Sequence, residues 1–472
     1  MGYSDRMLAR LFITFVLLGA TLFGRPQTAV APAQPAFAAH AVGAQPRRGL
    51  AVARSNVSAS AGGPQALTPA QRQANIDSFE HVWQTVRDKH WDPKLGGLDW
   101  QAIHDELRPR VERATTMADA RAPMSEMLAR LKQTHFGIVP AAVYRELESP
   151  GSVDGSPGID VRVIDGRALV ISVDADSPAA ARGVRAGWQI VRVDGADVES
   201  RLAAIRKQFA DSTLIDLVQS RSISSRLTGP TGKPVKVEFL DGSDKPVALD
   251  IDRARPRGTL ARLGNLPPLY FWVENRTLSQ DVGYVRFNAF FEPDALIRAV
   301  QDQVKACAGC KGFIIDLRGN PGGIGGLSMG VAGWFVDRSG QQLGTMYLRD
   351  TKISFVIFPR PEPFRGPLAI LVDGCSASTS EIFAGGLKAL GRARLIGTRT
   401  AGAALPSVFE RLPNGDGFQY AIANYIAADG RPLEGLGATP DEEVRLTRRA
   451  LLDGRDPVVE AAVEWIQKQG RQ

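Results

Sequence analysis

The chain has 472 residues, of which 44% are hydrophobic and 23% are charged, and its formal net charge is +7. This composition is typical of a globular protein with two or three domains, and it excludes disorder of the whole chain. The arginines form no basic run interleaved with aromatic residues, so no nucleic acid partner is expected. The three cysteines are too few for a disulfide-stapled scaffold.

The N-terminal segment has the pattern of a signal peptide. Residues 11–24 are uncharged and largely apolar, and this stretch is shorter than the ~20 residues of a membrane span. A small-x-small cleavage site ends at Ala38, so residues 1–38 are predicted to be a signal peptide. The protein is then periplasmic or secreted, or anchored in the membrane if the segment stays uncleaved. Residues 39–67 are rich in Ala, Gly, Pro and Ser, which predicts a disordered linker.

The first folded region is predicted to be helical. Thr68 opens the sequence Thr-Pro-Ala-Gln, a capping box with proline at the first helical position, and apolar residues then recur at helical spacing. A second helix is expected to begin near Asp99, and a third ends just before the segment that contains His135. Residues 68–145 are therefore predicted to form an N-terminal helical domain.

The next region changes to short β-rich runs. Strands are predicted at 159–164, 168–173, 190–193, 235–239 and 247–251, with a helical stretch around 198–221. Residues 153–253 resemble a PDZ domain of the kind found in bacterial C-terminal processing proteases, although Trp188 stands where that family usually has aspartate. PDZ domains bind peptide C-termini by adding a strand to a sheet edge. The resemblance implies peptide or protein substrates, and a small β-domain without a ligand is the alternative.

Strands and helices alternate over residues 260–470, which predicts an α/β domain. The predicted elements are a strand at 282–287, a helix at 293–306, a strand at 312–317 and, after a loop, a strand at 368–372, a helix at 378–390 and a strand at 395–397.

A glycine-rich turn follows the second of these strands. Residues 318–326 read Arg-Gly-Asn-Pro-Gly-Gly-Ile-Gly-Gly, and such a turn leaves backbone N–H groups that can face an anion. A phosphate loop would end in Gly-Lys-Ser or Gly-Lys-Thr, which is absent. We expect the turn to approach a ligand rather than only to reverse the chain.

A serine-rich segment joins the strand at 368–372 to the next helix. Residues 375–380 read Cys-Ser-Ala-Ser-Thr-Ser. A hydroxyl at a helix N-terminus lies at the positive end of the helix dipole, which stabilises developing negative charge. A plain helix N-cap is the commoner role of such a serine. The segment is not the Gly-x-Ser-x-Gly elbow of α/β-hydrolases.

These two motifs, in this order, resemble the S41 serine peptidases, a family that includes the C-terminal processing and tricorn-type proteases. The resemblance implies a multidomain α/β protein whose residues 260–470 form a ClpP/crotonase-like α/β catalytic domain. It also implies that Ser378 is the nucleophile and that the flanking serines are structural neighbours. The Thr379 N–H and one amide of Gly322 or Gly323 would then form the oxyanion hole.

The S41 family divides by its general base. C-terminal processing proteases carry a lysine in Gly-Lys-Gly, 25 residues after the nucleophile, but this chain has Ala403 there, and Lys388 is misplaced on the nucleophile's own helix. Tricorn-type members use a histidine before the PDZ domain and a late glutamate. His135 matches the first, with Thr134 as a supporting hydroxyl, and Glu434 matches the second in Glu-Gly-Leu-Gly-Ala-Thr-Pro-Asp.

The resemblance therefore implies an exported serine endopeptidase in which His135 removes the Ser378 proton and Glu434 helps to orient the imidazole. No cofactor is implied. Cys307 and Cys310 form a lone Cys-x-x-Cys, which does not predict a zinc site and is consistent with a local disulfide or with two thiols. The alternatives are a catalytically silent peptide-binding protein on the same scaffold, and a Ser/Lys processing protease.

Overall fold

The computed structural model describes residues 66–141, 155–210, 212–262, 269–279 and 281–469. The predicted signal peptide and nearly all of the predicted linker lie outside these residues. Among the helices that the structure describes, none combines the length and the apolar character of a membrane-spanning segment.

The N-terminal region consists of three helices and a short strand. They are α1 (Pro69–Lys89), α2 (Trp100–Glu112), α3 (Met117–Ala129) and β1 (Gly137–Val139), with a 3₁₀ turn over Leu95–Gly97 between α1 and α2. The predicted capping box at Thr68 is confirmed, because its hydroxyl accepts from the Gln71 N–H and the Gln71 side chain accepts from the Thr68 N–H. The helices share one apolar core with Phe418 and Tyr420 of the catalytic domain. This shared core fixes the turn that contains His135 against that domain.

The PDZ-like region is built on a five-stranded antiparallel sheet. Its elements are β2 (Ile159–Ile164), β3 (Arg167–Val173), α4 (Pro178–Ala181), β4 (Gln189–Val193), β5 (Ala196–Asp197), α5 (Val198–Gln208), α6 (Ile215–Leu227), β6 (Pro234–Leu240) and β7 (Pro246–Asp252). The strand order is β2-β3-β4-β6-β7, with β5 paired to β4, so β2 lies at an edge, and α6 packs beside it.

The prediction of a single helical stretch around 198–221 is wrong in one respect, because the structure has two helices there. The break falls at residues 209–214, where Phe209 leaves the helical conformation and Ser212 bonds to nearby backbone. Ser212 and Thr213 provide side chains that compete with helical hydrogen bonds, and this favours a turn.

The C-terminal region is centred on a six-stranded sheet of order β10-β11-β12-β15-β16-β20, parallel except for β10. Its elements are β8 (Thr259–Ala261), β9 (Leu269–Phe271), β10 (Val273–Leu278), β11 (Val282–Phe287), α7 (Pro293–Ala306), β12 (Gly312–Asp316), α8 (Gly325–Ala332), β13 (Gln342–Leu348), β14 (Lys352–Val356), β15 (Leu368–Val372), α9 (Thr379–Ala389), β16 (Arg394–Gly397), β17 (Ser407–Arg411), β18 (Gly417–Ala421), β19 (Ala423–Ala427), β20 (Glu442–Glu443), α10 (Arg448–Leu452) and α11 (Pro457–Gln469).

This sheet brings the two sequence motifs together. Apolar side chains of α7 and α9 cover one face and those of α11 cover the other, which explains why β12 and β15 read as continuous apolar runs. The two strands are parallel neighbours. Because the glycine-rich turn follows β12 and the serine-rich segment follows β15, both leave the sheet at the same edge.

The segment after the glycine-rich turn is more than the loop predicted there. It contains α8, β13 and β14, and a later stretch contains β17, β18 and β19. These strands form two three-stranded sheets, β14-β13-β19 and β1-β18-β17. In each sheet a local hairpin, β13-β14 or β17-β18, gains a third strand from far away along the chain, β19 or β1.

A buried ion-pair network closes the carboxyl end of β12. Asp316 has no exposed surface and accepts from the Arg318 guanidinium at 2.6 and 3.0 Å and from the Tyr284 hydroxyl at 2.8 Å. Burial opposes the charge of Asp316, but the Arg318 guanidinium holds its pKa below the usual range.

The variant Asp316→Ala is expected to lower the free energy of unfolding by about 3–5 kcal/mol, because it leaves Arg318 buried without this carboxylate. Chemical denaturation of the purified protein measures the change. The matched control is Glu464→Ala on α11, which removes an exposed ion pair to Lys468 and is expected to change stability by at most about 0.5 kcal/mol. Equal losses in the two variants would contradict the assignment of a buried network.

Candidate active site

The predicted histidine lies in a tight turn between α3 and β1. His135 is 2% exposed and has a positive φ of 63°. Its Nδ1 lies 2.7 Å from Thr134 Oγ1, and Thr134 Oγ1 lies 2.9 Å from Glu434 Oε2. The Thr134 N–H also donates to Glu434 Oε1 at 2.8 Å. The structure therefore joins Glu434, Thr134 and His135 in one hydrogen-bonded chain.

The direction of this chain follows from its chemistry. An ionised carboxylate only accepts hydrogen bonds, so the Thr134 hydroxyl donates to Glu434 and accepts from the imidazole. That arrangement puts the ring proton on Nδ1 and the lone pair on Nε2. Burial lowers the pKa of His135 to about 3, so the ring is neutral at neutral pH.

Glu434 is buried among backbone donors. Besides Thr134, the Ala404 N–H donates to Glu434 Oε2 at 3.0 Å, and the Leu405 N–H also bonds to this carboxylate. Burial raises the pKa of Glu434 above its ordinary value, and the backbone donors oppose that rise. The carboxylate is thus held in one position by groups from both sides of the site.

The predicted nucleophile occupies a strained position at the start of α9. Ser378 is 4% exposed and has φ 55° and ψ −119°. A side chain rarely adopts this conformation, and such strain is found preferentially at functional sites. The Ser378 N–H donates to the Ala403 carbonyl at 2.8 Å.

One peptide group connects Ser378 to Glu434. The Ala403 carbonyl accepts from the Ser378 N–H, and the N–H of the same peptide group, that of Ala404, donates to Glu434. The helix that begins after Ser378 and the chain of Glu434, Thr134 and His135 therefore flank a single planar unit of the backbone.

The glycine-rich turn lies directly against Ser378. A Cβ placed on Gly322 would stand 2.8 Å from the Ser378 Cβ and from the Thr379 nitrogen, so only glycine fits there. The Gly322 N–H donates to Asn320 Oδ1 at 2.9 Å, and the Gly323 carbonyl accepts from the Thr379 hydroxyl at 2.7 Å.

Three family models match consecutive parts of the chain. The tricorn protease C1 domain matches residues 73–129, a PDZ domain matches residues 155–213, and peptidase family S41 matches residues 281–444, the part that contains both motifs. Residues 281–444 belong to peptidase family S41. The protein is a serine peptidase with a PDZ domain.

Relatives from other organisms support this assignment, and two solved structures share the fold. A carboxyl-terminal-processing protease from Synechocystis sp. is 26% identical over 374 residues, which cover 77% of this chain and 79% of that protein. Tricorn protease homolog 1 from Streptomyces coelicolor is 25% identical over 425 residues, 84% of this chain and 35% of that protein. The photosystem II D1 C-terminal processing protease shares the fold with a TM-score of 0.54 at 22% identity, over 84% of this chain and 97% of its own. Mature CPAF has a TM-score of 0.57 at 14% identity, over 85% and 97%.

The positions of the family's lysine branch are occupied differently in this S41 peptidase. Ala403 is buried at the site, where its carbonyl bonds to Ser378. Lys388 lies near the far end of α9, where it donates to the Thr439 carbonyl at 2.8 Å and pairs with Asp441 at 2.9 Å. Both groups therefore have structural contacts.

The serines that flank Ser378 connect the serine-rich segment to the glycine-rich turn. Ser376 Oγ donates to the Leu317 carbonyl at 2.7 Å, and Ser380 Oγ donates to the Asn320 carbonyl at 2.9 Å. These contacts fasten the serine-rich segment to the glycine-rich turn.

Sequence reasoning gave no role to Glu381, which is fully buried beside Ser378. Its carboxylate accepts from the N–H groups of Ser378, Gly402 and Ala403 at 2.8–3.0 Å and from the Thr400 hydroxyl at 2.5 Å. Burial raises the pKa of Glu381 to about 7, against the effect of these donors. A signal was present, because an acidic residue on the apolar side of a buried helix needs such donors.

Sequence reasoning also left out Asp373, which ties three segments together. Its Oδ1 accepts from the Gly319 N–H at 2.8 Å and from the Cys375 N–H at 3.0 Å, and its Oδ2 accepts from Arg162 Nε at 3.1 Å. Asp373 thus joins the two turns of the S41 domain to strand β2 of the PDZ domain.

Proposed function

We propose that this S41 peptidase is an exported endopeptidase that cleaves peptide or protein substrates with Ser378 as nucleophile, His135 as general base and Glu434 as the group that acts on His135 through Thr134. The observation that carries the proposal is the hydrogen-bonded chain from Glu434 to His135, which a single peptide group separates from Ser378. A serine hydroxyl needs a neutral, oriented base to become nucleophilic, and the hydrogen-bonded chain holds His135 in that state.

In the proposed reaction, His135 Nε2 takes the Ser378 proton as Oγ attacks the scissile carbonyl carbon. The low pKa of His135 keeps the ring neutral before the reaction. The imidazolium that forms is stabilised through its Nδ1–H, which donates to Thr134 while Thr134 donates to Glu434. The same proton then goes to the leaving amine, and water hydrolyses the acyl-enzyme.

The amide donors of the proposed oxyanion hole are those of Thr379 and Gly323. The Gly322 N–H is occupied by Asn320, which favours Gly323 over Gly322 as the glycine donor. Thr379 is the first residue of α9, so its N–H lies at the positive end of that helix. Such a donor lowers the barrier by about 3 kcal/mol in related chemistry.

The PDZ domain is proposed to capture substrate C-termini and to gate the site. On β2 the Val163 N–H donates to Ser220 Oγ of α6 at 3.2 Å, and the Val161 carbonyl accepts from Arg162 Nη1 at 2.9 Å. A peptide that added a strand at this edge would compete with both contacts. Arg162 also bonds to Asp373. Displacement of Arg162 would therefore remove a contact from the turn that precedes Ser378.

Export is supported by two features. Residues 11–24 have the length and composition of a signal-peptide apolar segment. Cys307 and Cys310 form a disulfide with a Cα–Cα distance of 4.7 Å, and disulfides persist in oxidising compartments.

The deciding experiment is reaction of the purified protein with a fluorophosphonate probe, which labels an activated serine. Labelling is expected in the wild type and is expected to be lost in Ser378→Ala and in His135→Ala. The control variants are Ser243→Ala, at an exposed turn, and His81→Ala, whose partly exposed side chain pairs with Glu410. Both controls are expected to label fully.

Each other outcome removes part of the proposal. Labelling of Ser378→Ala would exclude Ser378 as the nucleophile. Labelling that survives in His135→Ala would favour a different base and revive the Ser/Lys alternative. A wild type that does not label even with added peptides would favour the catalytically silent binding protein.

A further inference from the structure

A cavity of about 400 Å³ separates the PDZ domain from the catalytic domain. Residues of β2 and α6 form one wall, and residues of β11 and the glycine-rich turn form the other. Two smaller cavities, of about 260 and 240 Å³, share Arg162 and Arg318 with it. Protein interiors are normally close-packed, so this interface leaves room for a ligand.

The lining of the large cavity is rich in guanidinium groups. Among the residues that the structure describes, five arginines line the cavity, namely Arg162, Arg221, Arg257, Arg286 and Arg318. Three of these, Arg162, Arg257 and Arg318, are each already paired with two carboxylates. Asp160 is shared, because it lies 2.6 Å from Arg162 and 3.5 Å from Arg286. Apolar side chains such as Leu217 complete the lining.

Arg286 has unused donor capacity at this place. Its Nε is buried and has no hydrogen-bond acceptor among the residues that the structure describes. Its Nη2 lies 3.5 Å from Asp160, the carboxylate that it shares. A buried donor without an acceptor is unfavourable, and a ligand carboxylate in the cavity would provide the acceptor.

Arg221 adds a second positive group on the opposite wall. It lies on α6, and burial lowers its pKa to about 10, with the neighbouring charge of Arg162 lowering it further. An anion beside Arg221 would oppose both effects and stabilise the charged guanidinium. Carboxylates bind guanidinium groups through paired N–H donors, which gives both strength and orientation.

We propose that this cavity binds acidic side chains of a peptide that lies along β2, so that the enzyme selects substrates with Asp or Glu near the C-terminus. Strand β2 is the edge strand and its residues Ile159 to Arg162 line the cavity. Successive side chains of an added strand point to opposite faces. Those on one face would point toward the arginine-lined wall of the cavity. The inference rests on the proposed capture of peptides and adds the chemistry of the captured side chains.

The test measures peptide binding to the full chain carrying Ser378→Ala, so that turnover does not interfere. Fluorescent peptides of one sequence carry Glu-Glu, Gln-Gln or Lys-Lys near the C-terminus, and a fourth is the Glu-Glu peptide with an amidated C-terminus. The Glu-Glu peptide is expected to bind roughly tenfold more tightly than the Gln-Gln peptide at low salt. Added salt is expected to reduce the difference.

The variants Arg286→Met and Arg221→Met are each expected to abolish the preference for Glu-Glu. Arg192→Met is the matched control, since Arg192 is exposed on β4 of the same sheet and pairs with Glu238. Thermal melting verifies that each variant folds.

Three results would overturn the inference. Equal binding of the Glu-Glu and Gln-Gln peptides would show that the arginines do not bind side chains, and peptide capture would stand without this preference. Loss of binding on amidation alone, with no Glu-Glu preference, would assign recognition to the terminal carboxylate. Failure of every peptide to bind would overturn peptide capture itself.

Discussion

Replacing Thr134 with valine is expected to lower kcat/KM for a peptide substrate by roughly 10²–10⁴-fold. Valine has the shape of threonine without the hydroxyl, so the variant removes the one atom that bridges His135 Nδ1 and Glu434 Oε2. The imidazole then loses the group that selects its tautomer and stabilises its cation. Glu434 keeps its backbone donors, so the fold is expected to persist.

Steady-state kinetics with an internally quenched peptide measure this effect, with a melting curve as the control for folding. Thr134→Ser restores the hydroxyl and is expected to recover most of the activity. Thr115→Val removes a hydroxyl from an exposed threonine in the same region, where it bonds to Asp119, and is expected to be nearly silent in kinetics. Full activity in Thr134→Val would show that Glu434 does not act through this hydroxyl.

Local sequence patterns predicted the regular elements that are continuous in sequence. The bounds of β2, α7 and β15 are those that were predicted. The spacing of apolar residues in a strand or an amphipathic helix is recognisable within a short stretch of sequence. The strands β13, β17 and β19 were missed, although β13-β14 and β17-β18 are local hairpins; the pairings of β19 with β13 and of β1 with β18 join distant segments. The split between α5 and α6 was missed because a polar turn interrupts an otherwise helical stretch.

The residues of the candidate site also differ in whether the sequence predicts them. Ser378 and Glu434 stand in segments whose order of residue types is distinctive, so a family resemblance was sufficient to propose them. Glu381 and Asp373 act through backbone N–H groups of distant segments. Because almost every residue has a backbone N–H, no residue pattern predicts such a contact before the fold is known.

Glu381→Gln is expected to lower kcat/KM by about 10²-fold or more, as a misplaced catalytic group does. The carboxylate of Glu381 accepts from the backbone of Ser378 and of the segment 402–403, which carries the carbonyl that bonds to Ser378. An amide NH₂ in place of one carboxylate oxygen would face N–H donors, and the repulsion would move the Ser378 turn. This variant also gives a second readout, in stability, that a change in turnover alone would not produce.

The stability readout follows from the pKa of Glu381, which burial raises from an ordinary value near 4.5 to about 7. The folded protein then binds more protons than the unfolded chain between these pH values, so the free energy of unfolding falls as pH rises through them, by on the order of 3 kcal/mol. Glutamine does not titrate, so the wild type is expected to lose stability relative to Glu381→Gln from about pH 5 to about pH 8. Guanidinium denaturation of both proteins at the two pH values measures this difference. Parallel changes would show that the donors around Glu381 keep its pKa near the ordinary value, and the activity loss would then be the only effect of the substitution.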